Sequence, residues 1–320
     1  MNNVLHAHNG VAGWYKIEAF RVDAQGEEVP GSRRIAADWF PNLITNAGLD
    51  LLGTTGSTPV QSFCRVGSGN TAPAFTDTAL VSQVAVSSTV QSDTSGVDRT
   101  GAFYGWRRRT IRFAAGTAAG TLAEVGVSAT NAGPLFSRAL ILDGGGNPTT
   151  ITVLSDEVLD VTYELRIYPA MADATGTVVI AGVTYTWTAR PLNNATYDSR
   201  WGGQYLGCGV GFNTTSGNVS VYGPLVMATI PAQGSTPTSP VNGTSMNPQP
   251  YTAGSYQRSF RMDFDLNDGN VAGGIGAYFA ASETNQTGGA WAWGISPKLP
   301  KTNSFKATFT VRMTWGRYTP

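Results

Sequence analysis

Leu159-Asp-Val-Thr-Tyr-Glu-Leu-Arg-Ile-Tyr168 alternates without a break: Leu159, Val161, Tyr163, Leu165 and Ile167 lie to one side, Asp160, Thr162, Glu164 and Arg166 to the other. Successive side chains of an extended chain point to opposite faces, so this segment reads as a β-strand with one face on a core. A second such strand places Phe305, Ala307, Phe309, Val311, Met313 and Trp315 between Lys306, Thr308, Thr310 and Arg312. The two strands coincide at an offset of 150 residues, with Val161 to Tyr168 over Val311 to Tyr318. Outward from them, Val125-Gly126 lies over Ile275-Gly276 at the same offset. Pro41, Asn46-Ala47 and Asp50 lie over Pro191, Asn194-Ala195 and Asp198 at offsets of 148 to 150. The only two cysteines also match, in Cys64-Arg-Val-Gly67 and Cys208-Gly-Val-Gly211. Correspondences in one order at a fold-sized period indicate two copies of one unit, each long enough to bury a core.

Each copy opens with a hairpin: Trp14 to Val22 returns into Arg33 to Phe40, and Thr177 to Ile180 returns into Val183 to Ala189. One short helix follows, best seen at Thr45-Asn-Ala-Gly-Leu-Asp-Leu-Leu52, where Thr45 or Asn46 supplies the cap. The rest is short strands between Gly- and Pro-rich turns, which indicates a β-sandwich. The expected fold is therefore all-β: two tandem β-sandwich domains related by internal duplication, with one short helix per copy. The domains are 1–170, with a leading N-terminal arm, and 171–320, with a long loop at 231–251. An aperiodic stretch of that length is expected to be an extended loop docking on a neighbouring subunit.

Charged residues make up 13% of the chain, 21 basic against 21 acidic, which argues against nucleic acid or an anionic membrane as partner. No run approaches the roughly 20 apolar residues that span a bilayer. The opening Met1-Asn-Asn-Val-Leu-His-Ala-His-Asn-Gly10 lacks a basic stretch followed by an apolar run, so a cytosolic product with two buried, unpaired thiols is expected.

The series Asn42-Leu-Ile-Thr-Asn-Ala-Gly-Leu-Asp50, Arg65-Val-Gly-Ser-Gly-Asn-Thr-Ala-Pro73 with Thr76-Asp-Thr-Ala-Leu80, Leu122-Ala-Glu-Val-Gly126, Phe136-Ser-Arg-Ala-Leu-Ile141 and Leu159 to Pro169 resembles structural proteins of tailed bacteriophages, in particular tail-fibre and baseplate-associated components. The resemblance covers residues 35 to 170; the second half joins it only through the internal repeat, with Gly274 in place of Glu124 and Gly288 in place of Arg138. It implies a virion protein at the distal end of the tail, made in the host cytoplasm and released by lysis. Such a protein works as a multimer in host attachment or in holding fibres to the baseplate.

Candidate chemistry is sparse. His6 and His8 are either a metal-binding pair or part of a mobile terminus. Asp263-Phe-Asp-Leu-Asn-Asp-Gly-Asn270 has oxygens spaced like a calcium loop, but its Gly comes one residue late and Gly274 stands where a bidentate Glu belongs, so a plain strand and turn competes. Arg107, Arg108 and Arg109 point alternately to opposite faces of a strand and are assigned to a subunit interface, against acids of a neighbour. Aromatic residues gather at Phe103-Tyr-Gly-Trp106, Trp187, Trp201-Gly-Gly-Gln-Tyr205 and Trp291-Ala-Trp293. They are either core or a platform for sugar faces, and Trp291 and Trp293 are the preferred glycan or receptor contact. Asn-x-Ser/Thr matches at Asn213, Asn218, Asn242 and Asn285 carry no weight without export. Catalytic, metal and cofactor residues are not assigned: there is no nucleophile elbow, phosphate loop or zinc motif, and the histidines fall within the first ten residues. The function expected is a structural component of a phage tail tip, a homotrimer that binds other tail or baseplate proteins and supports host attachment. Its rival is a receptor-binding adhesin that contacts a host-surface glycan or protein through exposed aromatics.

Overall fold

The computed structural model describes residues 4–54, 58–203, 206–207, 225–227, 229–236, 246–281 and 288–319. The fold is all-β. In chain order the first half holds β1 (Val4–Arg21), β2 (Arg34–Pro41), β3 (Leu43–Ile44), α1 (Asn46–Gly53), β4 (Phe63–Gly67), β5 (Gln83–Ser87), β6 (Thr89–Asp98), β7 (Tyr104–Phe113), β8 (Gly120–Leu122), β9 (Glu124–Ser128), β10 (Leu135–Leu140), β11 (Ile151–Val153) and β12 (Glu157–Pro169). The second holds β13 (Ala174–Ile180), β14 (Val183–Pro191), a 3-10 turn at Ala195–Tyr197 running into α2 (Asp198–Trp201), β15 (Leu225–Met227), β16 (Met246–Pro248), β17 (Gln257–Phe264), β18 (Ile275–Ala281), β19 (Ala290–Leu299) and β20 (Ala307–Arg317).

A single large sheet crosses the boundary expected at residue 170. Its order is β16-β17-β20-β1-β12-β7-β6, with β2 also paired to β1. Two five-stranded sheets accompany it, β3-β10-β9-β4-β5 from the first half and β13-β14-β19-β18-β15 from the second. Contacts between sheets are specific. In the first half Tyr163 of β12 meets Phe136 of β10 edge to face, and Tyr15 of β1 shares a 2.7 Å hydrogen bond with Ser137. In the second, Phe264 and Phe309 close on Tyr278 of β18. One buried apolar cluster runs through both halves. The pairing order also recurs: β6-β7-β12 opposite β3-β10-β9-β4 in the first half, and β16-β17-β20 opposite β14-β19-β18-β15 in the second.

The N-terminal segment expected as an arm for subunit contacts is instead the middle of the large sheet. Val4 to Val11 pairs in parallel with Thr310 to Arg317, and Asn9 to Arg21 pairs antiparallel with Glu157 to Pro169. The reason is in the alternation: Leu5, Ala7 and Val11 are buried, and an apolar stripe of period two is satisfied only inside a sheet. Because β12 is antiparallel and β20 parallel to β1, these two strands flank it in opposite directions. At this crossing the Tyr168 and Tyr318 rings stack with centroids 3.7 Å apart and planes 7° off parallel. Gly10 is needed here, since a Cβ would press into the Tyr318 ring.

Each half also lends its helix to the other. Thr45 caps α1 by accepting from Gly48 N at 2.8 Å, and Asn194 caps the 3-10 turn by accepting from Thr196 N at 2.9 Å. Asp50 of α1 accepts from the Tyr251 hydroxyl at 2.5 Å and from Gly254 N at 2.6 Å, while the Leu49 carbonyl accepts from Trp315 Nε1 at 2.8 Å. In return Asp198 pairs with Arg99, and Trp201 packs edge to face on Phe103. Backbone contact is so close that a Cβ at Gly202 would run into the Gly96 carbonyl, and one at Gly105 into that of Trp201. The two halves are thus stitched at both ends of their common sheet.

Candidate functional site

The residues that the sequence nominated as chemical groups are placed first. Trp291 and Trp293 are 1% and 0% exposed, so neither forms a surface platform for sugar. Trp291 donates from Nε1 to the Gly288 carbonyl at 2.9 Å and packs on Trp201 with centroids 6.0 Å apart. Every residue of β18 and the first six of β19 are buried, which is why the Gly-flanked tryptophans serve as core. Trp187 likewise is buried, with its ring 5.9 Å from that of His6.

Arg107, Arg108 and Arg109 are satisfied inside the chain rather than offered to a neighbour's acids. Asp93 of β6 accepts from Arg107 Nη2 at 2.7 Å and from Arg109 Nε at 3.0 Å. Arg108, on the opposite face, pairs with the buried Glu164, which also accepts from Arg166 Nε at 2.5 Å. Burial pushes the Asp93 carboxyl up, but the two arginines outweigh it and hold the group below its usual range. His6 and His8 sit on β1, where burial, then Arg312, lowers the pKa of His6, and burial lowers that of His8; His8 Nδ1 and Thr314 Oγ1 are hydrogen-bonded at 2.8 Å. Of the oxygens spaced like a calcium loop, Asp263 accepts from Arg261 Nε and Thr308 Oγ1 at 2.9 Å each, and Asp265 pairs with Lys306 at 3.0 Å; the buried Lys301 donates to the Leu266 carbonyl at 3.3 Å and to Asn270 Oδ1 at 3.0 Å. The carboxylates are thus engaged as a strand and turn. Among the described residues no three His, Cys, Asp or Glu side chains converge on a metal position.

The described ends of the 231–251 segment dock on their own chain. The Pro231 carbonyl accepts from Arg190 at 2.8 Å, and Tyr251 stacks on Trp315 as well as reaching Asp50. Residues 237–245 lie outside the described residues, as do Cys208, Tyr205, Asn213, Asn218, Asn242 and Asn285. Cys64 is a buried free thiol whose pKa burial drives well upward.

Three features are left. The motif series of the first half converges in space around Glu124, which is 0% exposed. Its carboxylate accepts from Gly69 N at 3.1 Å, Val81 N at 3.1 Å, Ser82 N at 2.8 Å and Arg138 Nε at 2.9 Å. Arg138, 1% exposed, also donates to Asp77 Oδ2 at 2.6 Å and to the Thr71 carbonyl at 2.8 Å. Side chains at Gly67 or Gly69 would collide with Glu124. With every strong donor and acceptor consumed, this is a clasp that fixes the 68–82 loop, and it leaves no vacancy for a ligand.

The second feature is an edge. β5 and β6, separated only by Ser88, form one run that ends both the first five-stranded sheet and the large sheet. No described strand pairs with its outer side. Val81, Val84, Val86 and Val90 are 58%, 43%, 36% and 38% exposed. From Thr78 to Asp98 the sequence holds no Lys, Arg or Pro, and its two charges, Asp93 and Asp98, are engaged within the chain.

The third is a cleft of about 470 Å³ where β1, β7, β12 and the C-terminal Tyr318 meet, lined by Trp14, Tyr104, Tyr168 and Tyr318 with Asn42, Asp98 and Thr100. Arg166 lies 3.9 Å from the Trp14 ring centroid and 4.6 Å from that of Tyr104, bracing both from the sheet. The Tyr104 hydroxyl donates to Asp98 Oδ2 at 3.1 Å, while Thr100 N and Oγ1 donate to Oδ1 at 2.8 and 2.7 Å. Burial, opposed by the Arg166 charge and aided by Asp98, pushes the Tyr104 phenol up to about 12; Thr100 holds the Asp98 carboxyl below its usual range. Sequence reading listed these aromatics singly and missed their convergence, since they come from strands far apart in the chain. The signal within reach was the match of Tyr168 with Tyr318.

Searches of family models, curated proteins and solved structures find no match to this chain.

Proposed function

We propose that this chain is a structural component of a phage tail tip, a tail-fibre or baseplate protein. It assembles into a symmetric oligomer, a trimer, with itself and with other tail proteins, and supports host attachment from within the virion. The observation that carries the assembly is the β5–β6 edge. An unpaired strand presents a row of N–H and C=O groups to any passing strand, and monomeric proteins blunt such edges with Lys, Pro or inward charges. This edge has two bulges, between Gln83 and Ala85 in β5 and between Val90 and Ser92 in β6, and it carries no Lys, Arg or Pro, while four valines stand exposed beside it. A neighbouring subunit that adds a strand there satisfies the backbone and covers the valines together.

The tail assignment rests on the resemblance of residues 35 to 170. The Glu124–Arg138 clasp supports it by giving the scattered motifs one physical reason to travel as a set. We read the recurring strand order as an internal duplication whose two sandwich units came to share a sheet. Among the described residues no helix is long and apolar enough to cross a membrane.

Native mass spectrometry and light scattering of the full chain test the assembly, with Val86→Lys and Val90→Lys placing charge on the edge. The native chain should be a closed oligomer and the double variant a folded monomer. A monomeric native chain refutes the edge reading. Gold-labelled antibody against the protein should decorate the tail tip of intact particles, and decoration of the head, or none, refutes the location.

A further inference from the structure

The geometry points to the Trp14–Tyr104–Tyr168–Tyr318 cleft as a binding site for a neutral pyranose, with the Asp98 carboxylate accepting hydrogen bonds from the sugar's hydroxyls. This deepens the host-attachment part of the proposed function and rests on it for the source of the sugar.

The argument runs from size, shape and charge. At about 470 Å³ the cleft lies within the roughly 300–1,000 Å³ of small-molecule sites. Its walls are aromatic, and the C–H face of a pyranose is the common ligand that sets a flat apolar surface beside a ring of hydroxyls. The rings are preorganised: Tyr318 is stacked on Tyr168, and Arg166 braces Trp14 and Tyr104, so little ordering is left to binding.

Asp98 decides the sugar's charge. Among the described lining residues it is the only ionisable group besides the tyrosines, and its own partners, Thr100 and Tyr104, fix it in place as a pure acceptor. A carboxylate offers about four acceptor positions, of which three are filled, so one remains for a ligand donor. The Thr100 hydroxyl, having spent its proton on Asp98, also presents only lone pairs. Two adjacent acceptors suit the donors of a sugar diol and repel a uronate or a phosphorylated sugar. An apolar aromatic ligand would fill the walls but leave the acceptors without donors, at a cost. Entry is open, because Gly101 and Ala102 on the rim are exposed and a side chain built at Gly101 meets no atom within 4 Å.

Saturation-transfer NMR and calorimetry on the full chain provide the test, with maltotriose, cellobiose and lactose as neutral probes and trigalacturonate as the anionic one. At least one neutral probe should receive saturation at its ring C–H protons, and trigalacturonate should receive none. Gly101→Phe projects a ring into open space without touching the core, and Tyr104→Phe removes only the hydroxyl that orients Asp98. The first should abolish binding and the second should weaken it roughly tenfold, with melting curves unchanged. No transfer to any neutral probe, equal transfer to trigalacturonate, or undiminished binding by Gly101→Phe each overturns the assignment. None of these outcomes alters the oligomer or its place on the particle, so the two proposals fail separately.

Discussion

Replacing Glu124 by Leu should cost about 3 kcal/mol of stability, the lower end of the roughly 3–5 kcal/mol lost when one partner of a buried ion pair is removed. The substitution keeps most of the volume but leaves Arg138, 1% exposed, facing a hydrocarbon, and strips an acceptor from the Gly69, Val81 and Ser82 amides. The loss stays at the lower end because Asp77 and the Thr71 carbonyl still hold two guanidinium nitrogens, at 2.6 and 2.8 Å. Arg138→Met should cost somewhat less, about 2–3 kcal/mol, since the Glu124 carboxylate keeps its three backbone donors.

The decisive quantity is the coupling. In the double variant no charge is left buried without its partner, so the total should fall short of the sum of the single losses by about 1–3 kcal/mol. Urea unfolding followed by far-ultraviolet circular dichroism measures all four proteins, and the midpoints should shift at constant slope. Single losses under about 1 kcal/mol, or strict additivity, would refute the clasp as a desolvated, mutually dependent unit.

Trp291→Ala should destabilise the chain by about 3–5 kcal/mol in the same urea assay, as expected of an emptied core position, while leaving sugar binding at the Tyr168 cleft intact. Gly202→Ala should loosen the contact between the halves, because a methyl group there meets the rigid Gly96 carbonyl; hydrogen exchange should rise in β6, β7 and α2 together. Asp93→Asn should lower stability by an amount that is constant at neutral pH and shrinks under acid. The folded carboxyl is held below its ordinary value, so its contribution is present above the unfolded value near 3.9 and vanishes as pH falls through the folded one. A difference between wild type and Asp93→Asn that persists unchanged to the lowest pH at which both fold would contradict this.

The all-β fold was legible because its strands alternate cleanly, as in Leu159 to Ile167, where five apolar residues all turn inward. The position of β1 was not, since Met1 to Gly10 carries polar His6, His8 and Asn9 among its apolar residues, and only the pairing with β20 shows that Leu5 and Ala7 are core. The tryptophans misled for a related reason. Exposure depends on what covers both faces of a strand, and a Gly-flanked Trp291 reads the same whether its far side is water or Trp201. The arginines at 107 to 109 were rightly resolved into two faces but not into partners, because Asp93 and Glu164 lie 14 to 16 and 56 residues away and are brought close only by strand register.

The pattern of what recurs between the halves has its own physical account. Asn46-Ala47 with Asp50, and Asn194-Ala195 with Asp198, come back because each set does the same two jobs. It starts a helical turn, and it reaches across to the other half through Tyr251 and Gly254 in one case and Arg99 in the other. Tyr168 and Tyr318 come back because each is the other's stacking partner, so neither drifts without unmaking a contact at the centre of the sheet. Glu124 and Arg138 have no such reciprocal. Their clasp closes wholly within the first half, on the 68–82 loop, and Gly274 in the second half instead takes a φ of 95° against the Leu299 carbonyl. On the proposed duplication, positions that join the halves have partners in both, whereas the clasp has partners in one half only. The cleft beside Tyr168 and Tyr318 is therefore built on contacts that join the two halves.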